Sequence, residues 1–296
     1  VIVCAAAKPS IDKLFEVDRI VPGAIHRPSG YLQVAGGKGL NAARAAATLG
    51  AEVRAVTLLA GHAGRWIAEE LEREGIASEI VWTPGESRAS LSVADRETEG
   101  MTEFYEDGTP VDKDGWRRFV AAVEAASVDA GWLTISGALP PGAPAGGYAQ
   151  LRCACQIAAD TVAERPDHAA LVKVNAAEAA ILTGLDTSDV DGAVSAARAL
   201  AEDGAAAVTR GPLGAVLVVG GEAFSGHIDA TGPYPVGSGD SFLGGMVTAR
   251  ERGADWHAAL ALALGAAAAN AEIPGAGRFE RSEAERLAGR AVINRL

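Results

Sequence analysis

From Trp116 onward the chain alternates strand-like and helix-like segments, and this rhythm limits the possible folds more than any other feature. Residues 132–136, 171–175, 205–210 and 214–219 are short apolar runs, with helix-forming stretches between them and after Asp240. Parallel strands need crossover connections, which helices supply, so repeated βα alternation predicts a mostly parallel sheet covered by helices on both faces. The strand-like run 1–7, closed by Lys8-Pro9, and the 39–49 helix, 52–60 strand and 64–73 helix join this rhythm. Segments 13–20 and 31–34, and the hairpin 89–94 with 101–105, do not, because turns rather than crossover helices separate them. They predict a small accessory sheet, placed as a lid over the C-terminal edge of the main sheet, where open α/β folds bind ligands. The main α/β domain is then 1–10, 35–88 and 109–296, and the lid is 11–34 and 89–108.

Charge narrows the partners. Lys and Arg number 26 against 38 Asp and Glu, a net charge of −12, whereas nucleic acids and anionic membranes select basic surfaces. No stretch of about 18 apolar residues occurs. The start VIVCAAAKPSID lacks the basic and apolar regions of a signal peptide. These features predict a cytoplasmic protein with no membrane or nucleic-acid partner. Three cysteines are too few for a disulfide scaffold. Cys153 and Cys155 have no second pair for zinc and are expected as plain apolar helix residues. Glycine, at 36 residues, is roughly twice the usual ~7%, which points to tight turns or loops that approach a ligand closely.

Two glycine-rich loops each open a helix: Ala35-Gly36-Gly37-Lys38-Gly39-Leu40-Asn41 and Pro235-Val236-Gly237-Ser238-Gly239-Asp240-Ser241. Free N–H groups at a helix start form an anion site. Neither loop is a Walker A motif. The first matches G-x-G-x-x-A through Gly37, Gly39 and Ala42, but the dinucleotide fingerprint needs an acid about 20 residues on, and 55–60 has none. The second ends in Asp240. Near the positive end of a helix such an acid is expected to stay ionised, able to take a proton from a hydroxyl while the loop amides hold developing phosphoryl charge. It fits an N-cap equally well.

Together these residues resemble the PfkB/ribokinase family of carbohydrate kinases along nearly the whole chain. Gly36-Gly37-Lys38-Gly39-Leu40-Asn41-Ala42-Ala43 with Leu49-Gly50 is similar to the family's first signature. Val236-Gly237-Ser238-Gly239-Asp240-Ser241-Phe242 with Gly245 is similar to its second. Gly61-His62-Ala63-Gly64 and the 136–142 segment Ser-Gly-Ala-Leu-Pro-Pro-Gly also follow the pattern. The resemblance implies a ribokinase-like α/β fold with a β-sheet lid, and ATP and Mg2+ as phosphoryl donor and its ion. It makes Asp240 the base and Gly237, Ser238 and Gly239 the anion hole. It places Asp12, Gly36, Gly37, Asn41 and Ser136 at the sugar. Asn175 and Glu178 match an N-x-x-E element in which Glu178 reaches the metal through water. Thr209, Gly211 and Gly214 match the nucleotide loop, and Ala267 and Asn270 fall at the adenine wall.

Pro9-Ser10-Ile11-Asp12, Ser87-Arg88 and Met101-Thr102-Glu103-Phe104 resemble the phosphosugar branch, which includes 1-phosphofructokinase and tagatose-6-phosphate kinase. Such a substrate needs cations, and Arg88, Lys38 and Arg27 are the candidates. The implied activity is transfer from ATP to fructose 1-phosphate, fructose 6-phosphate or tagatose 6-phosphate. The alternatives are a kinase of a free sugar or nucleoside and a non-catalytic sugar- or nucleotide-binding regulator. Apolar lid strands point to a homodimer through the lid. The sequence departs from the pattern in three places. Lys8 replaces an Asn, and Lys173-Val174-Asn175 replaces K-P-N. The stretch from Gln156 to Lys173 is too short for the usual strand, D-T-S-G-like turn and helix, keeping only Asp160-Thr161.

Overall fold

The computed structural model describes residues 1–167, 169–230 and 232–296. The chain runs β1 (Ile2–Ala6), β2 (Ser10–Val17), β3 (Gly30–Gly36), α1 (Lys38–Thr48), β4 (Val53–Leu59), α2 (Gly61–Arg73) and β5 (Ala77–Trp82). It continues through β6 (Arg88–Asp95), β7 (Gly100–Tyr105), α3 (Lys113–Ala126), β8 (Trp132–Ser136), β9 (Gln156–Asp160), β10 (Leu171–Asn175), α4 (Ala176–Thr183) and α5 (Val190–Ala201). The last third holds β11 (Ala205–Thr209), β12 (Ala215–Val219), β13 (Glu222–His227), α6 (Ser238–Glu251), α7 (Trp256–Glu272), α8 (Arg281–Ala288) and β14 (Val292–Arg295).

Ten strands form one sheet in the order β14-β13-β12-β11-β10-β9-β8-β1-β4-β5. From β5 to β11 every neighbour is parallel, and from β11 to β14 every neighbour is antiparallel. The change of direction follows from the length of a connection. Only 210–214 joins β11 to β12, too short for a crossover, and Gly214 takes φ 84° where a Cβ would lie 2.1 Å from the Gly226 carbonyl. Within β1, Ile2, Cys4 and Ala6 pack on one face, and Val3 and Ala5 pack on the other. That two-faced burial is why the run reads as continuously apolar.

Part of the glycine excess serves helix packing rather than loops. Gly244 and Gly245 of α6 lie so close to neighbouring helices that an added Cβ would come 2.8 Å from the Ala45 methyl and 2.9 Å from the Ala263 Cα. Small residues in α1, α6 and α7 let these helices nest against the sheet, which suits a core poor in aromatics.

A second sheet has the order β3-β2-β6-β7, with β2 parallel to β6 and antiparallel to β3. Its register places Asp12 beside Val34 and Ser90, and Ser90 beside Tyr105. The side-chain period of two puts Phe15, Tyr31, Leu91, Val93 and Phe104 on the opposite face.

Four expectations need correction. The strands β5, β9, β13 and β14 were not among the expected ones; they are short edge or interior pieces without a clear period. Helices do not lie between all the later strands: β8, β9 and β10 are linked by irregular chain and one 3₁₀ turn, Tyr148–Gln150, among the described residues. Cys153 and Cys155 lie in the irregular lead into β9, not in a helix, and burial with the neighbouring Cys153 pushes the Cys155 thiol up to about 12. The shortened stretch from Gln156 keeps its strand, β9, which ends on Asp160, but among the described residues it has no helix. No described helix is long and apolar enough to cross a membrane.

Candidate active site

The C-terminal ends of β1, β8, β10 and β11 and the inner face of the small sheet enclose a cavity of about 820 Å3. Ala6, Ser136, Asn175 and Thr209 line it from the main sheet, and Arg88, Ser90, Glu103 and Tyr105 from the small one. Both glycine loops open into it through Gly37, Lys38, Gly39 and residues 235–240.

Asp240 is the third residue of α6, and the N-cap position belongs to Gly237, with φ 84°. The N-cap reading is therefore excluded by geometry. Asp240 is buried and accepts a hydrogen bond from Asn41 Nδ2 at 2.8 Å. Its carboxyl departs from the expected fully ionised acid. Burial first, and then the charge of Asp160, push it up to about 7 against the opposing pull of Lys173, Asn41 and Lys38. Loss of hydration outweighs the field of the helix terminus.

Asp160, which ends β9, organises the charges beneath Asp240. It is fully buried and accepts from Lys38 Nζ at 3.2 Å and Lys173 Nζ at 2.9 Å. Burial alone would raise its carboxyl, but the two lysines outweigh burial and hold it below the usual range. Lys173 also approaches the second glycine loop: a Cβ on Gly239 would lie 2.9 Å from its Nζ. Lys38 bonds Glu178 Oε1 at 2.8 Å as well, so it is braced between two carboxylates rather than free for a phosphate. Burial opposes its charge, yet Asp160 and Glu178 together raise its pKa.

Asn175 and Glu178 form a reciprocal cap on α4. Asn175 Oδ1 accepts from the Glu178 amide at 2.9 Å, and Glu178 Oε2 accepts from the Asn175 amide at 3.0 Å. The N-x-x-E spacing is thus the spacing of a capping box, and it leaves Glu178 Oε1 turned toward Lys38. Glu178 and Asp160 are already partnered, and the described residues contain no cluster of three or more metal-ligating side chains. The donor set suits a magnesium ion carried by phosphates and waters with one or two carboxylates nearby.

At the opposite end Asp12 accepts from Ser10 Oγ at 2.5 Å and from the Gly37 amide at 3.2 Å. Burial raises its carboxyl against these bonds. Gly36 does not line the cavity; it makes room for Asp12, whose Oδ2 would lie 1.9 Å from a Cβ there. Arg88 donates from Nη1 to Ser90 Oγ at 3.0 Å and to the Glu106 carbonyl at 3.4 Å, and lies over the Tyr105 ring. Its buried Nε has no partner, and neither does the buried Ser136 Oγ.

Thr209, Gly211, Gly214 and Ala267 line the cavity. Three other candidates are placed differently. Arg27 is exposed in the β2–β3 connection and does not line the cavity. Asn270 is fully buried behind the wall. It accepts from Ser241 Oγ at 3.0 Å and the Gly277 amide at 2.7 Å, and donates to the Val236 carbonyl at 2.9 Å. It shapes the second glycine loop. The Ser238 amide, assigned to the anion hole, donates to the Pro235 carbonyl at 3.1 Å. Sequence reasoning gave no role to Lys173 and read Asp160 only as part of a turn. Their signal was a lysine inside an apolar strand and an acid ending another, both of which need a partner when buried.

Comparisons with known proteins bear on the family and the fold. A family model described as pfkB family carbohydrate kinase matches residues 3–283. The chain is 29% identical over 262 residues to a 1-phosphofructokinase of Haloferax volcanii, covering 85% of each. In fold it is similar to phosphofructokinase-2 from Escherichia coli in complex with substrates and products, with a TM-score of 0.88, 22% identity and 98% of each chain covered. It is also similar to Arabidopsis thaliana ribokinase complexed with ribose and ATP, with a TM-score of 0.75, 19% identity and coverage of 97% of this chain and 98% of that one.

Proposed function

The chain belongs to the pfkB family of carbohydrate kinases, and from that premise we propose that it transfers the γ-phosphoryl group of ATP to a phosphorylated ketohexose. Fructose 1-phosphate, fructose 6-phosphate and tagatose 6-phosphate are the substrates of this class to be tried. The observation that carries the reading is Asp240: a buried carboxyl raised to about 7, held by Asn41, at the head of a helix that opens into the cavity. A general base works best when its pKa lies near the working pH. Asp240 takes the proton of the substrate hydroxyl as the oxygen attacks the γ-phosphorus, and ADP leaves.

The amides of Gly237 and Gly239 at the start of α6 stabilise the charge developing on the transferred group. A magnesium ion bound with the nucleotide would supply positive charge to its phosphates, and Glu178 is the carboxylate that would order its waters. Thr209, Gly211, Gly214 and Ala267 hold the nucleotide. Asp12, Gly37, Asn41 and Ser136 hold the sugar, and Arg88 grips its phosphate. Support for a phosphorylated substrate comes from Arg88, whose Nε is buried without a partner. A phosphate oxygen offers that donor a charge-assisted bond, stronger than the bond a neutral sugar hydroxyl can offer.

Residues 11–34 and 89–108 act as a lid on the body formed by 1–10, 35–88 and 109–296. Phe15, Tyr31, Leu91, Val93 and Phe104 on the lid's outer face support a homodimer through that sheet, since contiguous exposed apolar side chains mark contact surfaces.

Measuring ADP release with the three phosphosugars, ribose and adenosine tests the reading. Turnover of at least one phosphosugar well above ribose and adenosine is expected. Preference for ribose or adenosine would replace it with a kinase of an unphosphorylated substrate, and no turnover with any would leave a binding protein.

A further inference from the structure

Lys8 stands at the end of β1 where the chain bends into β2, and it lines the sugar end of the cavity with Pro9, Asp12, Gly37 and Arg88. Its carbonyl packs closely against Gly37, 2.8 Å from where a Cβ on that glycine would sit. Among the described residues its ammonium is held by Asp107 Oδ1 at 3.4 Å alone, and that side chain is 91% exposed. The other lysines lining the cavity are held more firmly: Lys173 by the buried Asp160, and Lys38 by Asp160 and the half-buried Glu178. A long ion pair with an exposed carboxylate contributes little and exchanges readily. Asp107 also bears on Arg88, as do Asp12 and Glu106. An exposed carboxylate therefore sits between two cations, Lys8 and Arg88.

A phosphate monoester carries close to two negative charges at neutral pH. One guanidinium matches only part of that charge, and the carboxylates of Asp12 and Glu106 near Arg88 disfavour an anion further. Admission of a dianion at this end needs a second cation and the departure of the competing carboxylate.

We propose that Lys8 is a second phosphate-binding cation of the sugar pocket, which exchanges the Asp107 carboxylate for the substrate phosphate and so selects phosphorylated over neutral sugars. The inference rests on the phosphosugar reading above and deepens it. Lys8 and Arg88 then hold the phosphate from two sides, the ammonium as a compact point charge and the guanidinium as a fork. Asp107 is the anion that the substrate phosphate replaces between the two cations.

The test compares kcat/KM for the best of the three phosphosugars with kcat/KM for fructose, in the wild type and in Lys8→Met, Lys8→Arg and Asp107→Asn. Lys8→Met keeps the apolar stem and removes the charge, and its phosphosugar-to-fructose ratio is expected to fall roughly tenfold. Lys8→Arg restores most of the ratio, and Asp107→Asn raises it. A Lys8→Met ratio equal to that of the wild type overturns the inference. So does an equal loss on both sugars, which marks a structural role, or a loss in Asp107→Asn as large as in Lys8→Met, which marks the ion pair itself as the functional unit. A wild type that turns over none of the phosphosugars sinks the phosphosugar reading instead, whereas phosphosugar turnover with an unchanged Lys8→Met ratio sinks only the role of Lys8.

Discussion

Asp240 destabilises the protein at the pH where it is useful. Its carboxyl, ordinarily near 3.8, is raised to about 7 in the folded chain, first by burial and then by Asp160. The folded state therefore holds a proton that the unfolded state has already lost. The stability that goes with the protonated form is complete below about pH 4 and is lost as pH rises through about 7. Asp240→Asn is expected to lower kcat by at least about a hundredfold. Its stability advantage over the wild type, measured by denaturant titration, should be larger at pH 8 than at pH 5. An equal gap at both pH values would show that the carboxyl is not raised. The wild-type kcat/KM profile should also show an acid limb centred near neutrality. For Arg88→Ala, loss of hydrogen bonds to a charged group, each worth about 1.5–3 kcal/mol, predicts a phosphosugar KM roughly tenfold to a hundredfold higher with the KM for ATP nearly unchanged. A phosphosugar KM equal to the wild-type value removes Arg88 from the phosphate clamp. The sequence singled out both residues, Asp240 by its glycine loop and Arg88 through the resemblance of Ser87-Arg88 to the phosphosugar branch. It misplaced Arg27 and Asn270, because nothing local distinguishes a loop arginine that reaches a pocket from one in solvent.

Among the elements, α4 carries the reciprocal cap of Asn175 and Glu178, the pair to which the proposed function gives the ion's waters. Gln can replace Glu in a capping box, so Glu178→Gln keeps the bond to the Asn175 amide and loses the carboxylate that faces Lys38. Thermal stability should change little, while the magnesium concentration needed for half-maximal rate should rise. Should the melting temperature fall with no change in magnesium dependence, Glu178 is a cap and nothing more. The small sheet is legible as an element because turns, not helices, separate its strands, and its inner face lines the cavity at the C-terminal edge of the main sheet, where the sequence placed it. Sugar binding is expected to slow amide exchange in 13–34 and 89–105, as lid closure excludes water from the transferring phosphoryl group. Identical exchange with and without saturating phosphosugar argues for a rigid sheet. The unexpected strands β13 and β14 extend the antiparallel edge, where pairing with a neighbour compensates for weak local propensity.

At the scale of the whole molecule, the outer face of the small sheet exposes Tyr31 and Phe104. Pairing two such faces would cover apolar surface that each copy leaves in water. Light scattering should therefore report two copies in the particle for the wild type and one for the double variant Tyr31→Glu with Phe104→Glu, with the melting transition retained. A double variant that stays dimeric places the contact elsewhere.

Local pattern alone determined the alternation of strands and helices, the two glycine loops at helix starts and the acid in the second loop. Each depends on residues within a few positions of one another, where backbone sterics and side-chain period act directly. Tertiary structure alone decided what those residues can do. Asn41 reaches Asp240 across 199 positions of sequence, and Lys38 reaches Glu178 across 140. Asp160, unremarkable as a turn residue, becomes the buried charge shared by two lysines and felt by Asp240. Burial and neighbouring charge set the proton affinity of a carboxyl, and both come from segments that only folding brings together.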